Sequence, residues 1–309
     1  MEFLIFVAMA NQGVIFLTGV GRSGTTMLQS MLHSHSEINF SVETHFIKRY
    51  VVPFLLTKEI VKGGTLASDK FIQRLSLKKQ AELCSKDFAS IEDLYQAFCE
   101  IMKPENDSTI TFLGDKDTEY VRYFSHIKEF VPKAYMIHIV RDPRDVVASR
   151  LKTEWGAKRS PEFHMAEYQY YLKKVRKEGP ELFGDRFYEL KYEDLLENPK
   201  RELTGLLSVL NLTYEPEMLN FYKKGNDLVS DDERKWKDNV SKPLDKSNSG
   251  KWRSSLSIND AATLQHGLED FFDEMDYDKV TAKVSLVQKM KVQAIKQLFV
   301  GKTFKERLK

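Results

Sequence analysis

The stretch "GVGRSGTT" (residues 19–26) sets Gly19 and Gly24 at the spacing of a phosphate-binding loop, but Thr25 stands where a nucleotide hydrolase carries its lysine. A glycine loop that opens a helix aims backbone N–H groups at an anion, helped by the positive end of the helix dipole. The same spacing also describes a tight turn. Here the loop's cation is Arg22, and no clear aspartate for magnesium follows, which disfavours a kinase or NTPase. A second stretch, "VRDPRDVVASR", puts Arg141 at the exit of an apolar run and Ser149 on the helix that follows. An arginine and a hydroxyl in those places can hold a second phosphate by charge-assisted hydrogen bonds. Alternatively, Arg141, Asp142, Arg144 and Asp145 are only the caps and ion pairs of a helix start.

These residues need elements to position them. "VIFLTG" (14–19) reads as a short buried strand, and "TTMLQSMLHSH" continues with Met27, Leu28, Met31 and Leu32 at helical spacing. "KAYMIHIV" (133–140) is a second buried strand leading into a helix with Asp142 at the N-cap, Pro143 at the first helical position and Asp145 completing a capping box. "STITFLGDK" (108–116) and "DRFYELKYEDLL" (185–196) supply two further strands, the latter running into a helix that begins near Asn198 and Pro199. Strands alternating with helices predict an α/β fold, a parallel sheet covered by helices on both faces, with its ligand beyond the carboxyl ends of the strands.

Residues 50–107 read as a helical insertion and 157–180 as another helix; 231–255 is a polar loop on the surface or over a ligand. Residues 1–280 are expected to form one domain, followed by a basic tail, 281–309, that reads as a solvated helix rather than a membrane or partner helix. The balance of 47 basic and 45 acidic residues leaves a net charge of +2, so no nucleic-acid partner is expected. Two cysteines are too few for a disulfide framework. The apolar start "FLIFVAMA" is too short to span a bilayer and follows Glu2 rather than a basic region. No signal peptide or membrane anchor is read, and a cytoplasmic location is expected.

Taken together, "GVGRSGTTMLQSMLHSH" and "IHIVRDPRDVVASR" resemble the sulfotransferase family, whose members take their sulfuryl group from 3′-phosphoadenosine 5′-phosphosulfate (PAPS) and release the bisphosphate PAP. The fold this implies is the P-loop type. The likeness is strongest to the branch that holds protein-tyrosine, bacterial and carbohydrate sulfotransferases. It rests further on Glu43 and Thr44 in "SVETHFIKRY", Lys116 in "LGDKDTEYV", Tyr192 in "KYEDLLENP", and Lys251 and Trp252 in "VSKPLDKSNSGKW". Where tyrosylprotein enzymes carry an arginine two residues after the base, this chain has His45, although Arg49 matches a later basic position.

The resemblance implies that Gly21, Arg22, Ser23, Gly24, Thr25 and Thr26 hold the 5′-phosphosulfate, that Arg141 and Ser149 hold the 3′-phosphate, and that Tyr192, Lys251 and Trp252 complete the nucleotide site. It makes Glu43 the general base, with Lys116 and Arg22 stabilising charge as the leaving oxygen departs. His45 is the rival base, its imidazole being suited to neutral pH. Trp252 stacks on the adenine or, alternatively, anchors its loop by burial. His45 and Arg49, with Lys48 nearby, suggest contact with a polar or anionic acceptor, a peptide tyrosine or a glycan hydroxyl. No metal site is expected, and a homodimer is left open. A non-catalytic nucleotide-binding module stays as a further alternative.

Overall fold

The computed structural model describes residues 13–70, 72–102, 109–223, 228 and 241–307. The apolar start and residues 231–240 of the polar loop 231–255 therefore lie outside the described residues. At the centre is a parallel sheet of β1 (Gly13–Thr18), β2 (Ile38–Phe40), β3 (Phe112–Lys116), β4 (Tyr135–Val140) and β5 (Phe187–Lys191), in the order β2-β3-β1-β4-β5. Along β1 the alternation decides the layers: Val14 and Phe16 enter one core, while Ile15 and Leu17 enter the other. Both faces are thus buried, as uniformly apolar parallel strands require. Helix α1 (Thr25–His33) and Pro199–Val209 cover one face; the long α3 (Pro161–Phe183) and Ile258–Gly267 belong to the other.

The order of strands reverses around β1, so the loops after β1, β3 and β4 open at one edge, where the chain passes from one side of the sheet to the other. Register fixes their proximity. Leu17 pairs with Lys116 and Thr18 with His138, and the Asp117 N–H donates to Leu17 O. The last residues of β3 therefore sit a strand's width, about 4.8 Å, from the start of the glycine loop.

Four of the five strands fall where the sequence puts them. β2 does not appear in the sequence reading, because three residues carry no periodicity. It is recruited by β3, with Phe40 beside Gly114 in a parallel ladder. The insertion between β2 and β3 is a run of short helices, including Val52–Thr57, Gly63–Leu66, Leu77–Cys84 and Ile91–Met102. The basic tail forms the helix α4 (Leu286–Arg307), exposed over most of its described length. One face of it docks on α3: Phe299 meets Phe163 and Tyr170 at ring-centroid distances of 5.6 and 5.5 Å, Val292 is buried, and Lys291 pairs with Glu162 at 2.6 Å. Apolar residues on its exposed side as well, Leu286, Val287, Met290 and Leu298, blur this face in the sequence.

Candidate active site at the carboxyl edge of the sheet

The glycine loop leaves β1 under tight constraint. A Cβ on Gly19 would meet Ile139 O at 2.7 Å, and one on Gly24, at φ 98°, would strike the Tyr192 ring at 2.4 Å. Glycine is required at both positions, and Tyr192 is buried beneath the loop as its floor. Arg22 takes a left-handed backbone with φ 83°, uncommon for a side chain of its size. That turn carries its guanidinium toward α2 (Pro143–Leu151), where Nε donates to Ser149 Oγ at 3.0 Å. The loop motif and the second motif are therefore in direct contact. Helix α1 opens on Gly24 with no side-chain cap; Thr25 is buried, and the Thr26 carbonyl accepts from Ser30.

Two more arginines close around the loop. Arg141 donates through Nη1 to Arg22 O at 3.1 Å and through Nη2 to Asn248 O at 2.5 Å, with its guanidinium 4.4 Å over the Tyr192 ring. Arg150 donates to Gly21 O at 3.0 Å and pairs with Glu167. Burial, then the charges of Arg141 and Arg150, hold the Arg22 guanidinium below the usual arginine range. Ser23 Oγ and Arg141 Nε are buried without a hydrogen-bond partner. Clustered cations, unsatisfied donors and an uncapped helix start together fit an anionic ligand with more than one phosphate. Sequence reasoning missed Arg150, although it follows Ser149 directly.

The helix start is written differently from the expected capping box. Asp142 does cap α2, accepting from the Arg144 N–H at 2.9 Å, but its own N–H goes to Glu193 Oε1 at 2.9 Å. Asp145 instead accepts from the Gly250 N–H at 2.8 Å and the Trp252 N–H at 2.7 Å, pinning the late loop to α2. Trp252 is 5% exposed, with Arg144 at 3.9 Å and Arg253 at 4.6 Å from its ring centroid. In this structure the ring is enclosed by these arginines and anchors its loop. Lys251 does reach the site's margin, since its Nζ donates to Asn248 Oδ1 at 2.6 Å and Asn248 also binds Arg141.

Beyond β2, residues 43–45 meet the end of β3. Lys116 Nζ donates to Glu43 Oε2 at 2.6 Å, with the lysine side chain 2% and the glutamate 16% exposed. Beside them His45, at φ 54°, brings Nδ1 to 2.6 Å from Asp117 Oδ2. The hydrogen bond to Asp117 raises the imidazole above its ordinary value against the opposing effect of burial, and the charges of Asp117 and Glu43 add to the rise. Arg49 pairs with Asp69 at 2.7 Å and Lys48 with Glu119, so the expected basic patch is matched acid for base. Arg49 is thereby tied to the insertion. Glu43, His45 and Asp117 also place ligand-type atoms within 4.8 Å of one another, a grouping the sequence reading did not foresee. Lys116 already faces the Glu43 carboxylate of this group.

The model of the sulfotransferase family matches residues 14–216, which include the glycine loop, Glu43, Lys116, Arg141, Ser149 and Tyr192. The chain belongs to the sulfotransferase family. It is 24% identical over 292 residues to a protein-tyrosine sulfotransferase of Drosophila melanogaster, covering 88% of this chain and 54% of that one. It is 23% identical over 268 residues to protein-tyrosine sulfotransferase 1 of Danio rerio, covering 82% of this chain and 69% of the relative. Thus the chain spans only about half the length of the fly relative. The sulfotransferase domain from the curacin biosynthetic pathway shares the fold with a TM-score of 0.60 at 20% identity, over 87% of this chain and 99% of that domain. The sulfotransferase domain of the Synechococcus PCC 7002 olefin synthase does so with a TM-score of 0.59 at 19% identity, over 94% of each. Among the described residues no helix is long and apolar enough to cross a membrane.

Proposed function

We propose that this chain transfers a sulfuryl group from PAPS to an acceptor hydroxyl, with Glu43 as the general base. The observation that carries the reading is the Glu43–Lys116 pair, a carboxylate and an ammonium 2.6 Å apart beside the glycine loop. In this reading loop residues 21–26 hold the 5′ end of the donor, while Arg141 and Ser149 hold the 3′-phosphate, with Lys251 at the margin. When bound, PAPS supplies an electrophilic sulfur with a phosphate oxygen as its leaving group.

The chain's own residues do the rest. Glu43 takes the proton from the acceptor hydroxyl, and as its charge is neutralised its hold on Lys116 weakens. The Lys116 ammonium is then available to the departing oxygen, together with Arg22 and the loop amides. These groups stand fixed before the reaction, so little reorganisation is needed. His45 is the poorer base, because its bond to Asp117 favours the imidazolium. The names of the fly and zebrafish relatives support a peptide tyrosine as acceptor.

The test combines thermal unfolding with a transfer assay. PAP at about 100 times its Kd adds roughly 2.7 kcal/mol and raises the midpoint by a few degrees, where magnesium-ATP does not. Labelled PAPS offered with tyrosine peptides and with sugars then identifies the acceptor. A midpoint raised by magnesium-ATP alone would sink the proposal.

A further inference from the structure

The segment that carries Glu43 leaves the sheet one residue after β2. The Ser41 N–H donates to Gly114 O at 3.1 Å as the last rung, and Gln29 of α1 donates to Ser41 O at 2.7 Å. Beyond that point side chains hold it. Three consecutive residues, Glu43, Thr44 and His45, meet three consecutive residues of β3 and its exit: Lys116, Asp115 and Asp117. The middle contact is the buried one, with Thr44 1% and Asp115 7% exposed.

From these contacts we infer that Asp115, acting through Thr44, is a positioning residue that sets where the Glu43 carboxylate stands. The inference rests on the proposed role of Glu43. Asp115 Oδ2 accepts from Thr44 Oγ1 and from Tyr120 Oη, each at 2.5 Å, and Oδ1 accepts from the Lys116 N–H at 2.8 Å. One carboxylate thus ties the residue beside the base to the backbone of the residue beside the ammonium. The Thr44 hydroxyl also accepts from the Phe46 N–H at 3.0 Å, which fixes the backbone on the far side of His45. A rotation of Thr44 away from Asp115 would carry Glu43 off Lys116, and a misplacement of about 1 Å at a reacting group can cost about a hundredfold in rate.

The experiment is a comparison of Thr44→Val and Thr44→Ser with the wild type, in steady-state sulfuryl transfer and in the PAP-induced rise in unfolding midpoint. Thr44→Val keeps the shape and removes the hydroxyl. Its kcat falls about 10- to 100-fold, while the KM for PAPS and the PAP-induced rise are unchanged. Thr44→Ser restores kcat to within about threefold. Thr44→Ala shows the same split if the valine variant does not fold. A valine or alanine variant with wild-type kcat, or a loss of PAP binding in step with kcat, overturns the inference. A wild type that binds PAP but transfers nothing overturns the role of Glu43, and this one with it.

Discussion

Lys116 and Glu43 are separated by 73 residues of sequence and by 2.6 Å in space, and they are unequal partners: the lysine is enclosed while the carboxylate lies nearer water. Removing the carboxylate therefore costs more than removing the cation. Glu43→Gln leaves an enclosed ammonium facing a neutral amide, and we expect a loss of about 2–4 kcal/mol in urea unfolding. Lys116→Met leaves a carboxylate that water can reach, with a loss of about 1–2 kcal/mol. The double variant should fall short of the sum by at least about 1 kcal/mol. Strict additivity would mean that the pair is not coupled.

The two candidate bases are separated by their pH profiles. His45 titrates above its ordinary 6.5, so a rate that depends on neutral imidazole would show an acid limb above that pH. With Glu43 as base, Glu43→Gln lowers kcat by about 10²–10⁴. His45→Gln lowers it less than about tenfold and leaves the shape of the profile unchanged. A limb above that pH in the wild type that vanishes in His45→Gln would reverse the assignment of the base.

Arg22 combines a left-handed backbone with a guanidinium crowded by Arg141 and Arg150. Both features work against the unliganded fold. Arg22→Gly relieves a backbone cost of about 1 kcal/mol and a like-charge repulsion, and removes the hydrogen bond to Ser149. Stability should stay within about 1 kcal/mol of wild type or rise, while the PAP-induced rise in midpoint disappears. A loss above about 2 kcal/mol would instead make Arg22 a structural tie.

What the sequence makes legible follows from range. Strands β1, β3, β4 and β5 and the start of α2 are encoded by local pattern, and the family resemblance selects Glu43, Lys116, Arg141 and Ser149 one by one. Pairings across long separations are invisible to such reading. Asp145 looks like half of a capping box because its true partners, Gly250 and Trp252, lie more than 100 residues away. Asp117 and Asp115 flank Lys116 in the quoted motif, yet their partners at 43–45 become apparent only when β2 and β3 pair. The surroundings of Trp252 and Arg49 are hidden for the same reason: each matches a motif by type, and its environment is set by groups the motif does not contain.

Away from the site, β5 carries a carboxylate that makes stability depend on acid. Glu189 accepts from His138 Nδ1 at 2.8 Å and from Arg176 Nη2 at 2.7 Å. Burial alone would raise its carboxyl, but the bonds and charges of His138 and then Arg176 hold it at about 2, below its ordinary 4.5. A carboxyl depressed in the folded state adds stability above its unfolded value and loses it as pH falls toward the folded one. The window is therefore pH 4.5 down to 2, and the contribution at neutral pH is roughly 3 kcal/mol. Asp115 and Glu193, raised chiefly by burial, act with the opposite sign, so the quantity to measure is the difference between wild type and Glu189→Gln. The variant should be less stable at pH 7, and the gap should close as pH falls through 4. A gap that is constant from pH 7 to pH 3 would show that Glu189 contributes packing and not charge.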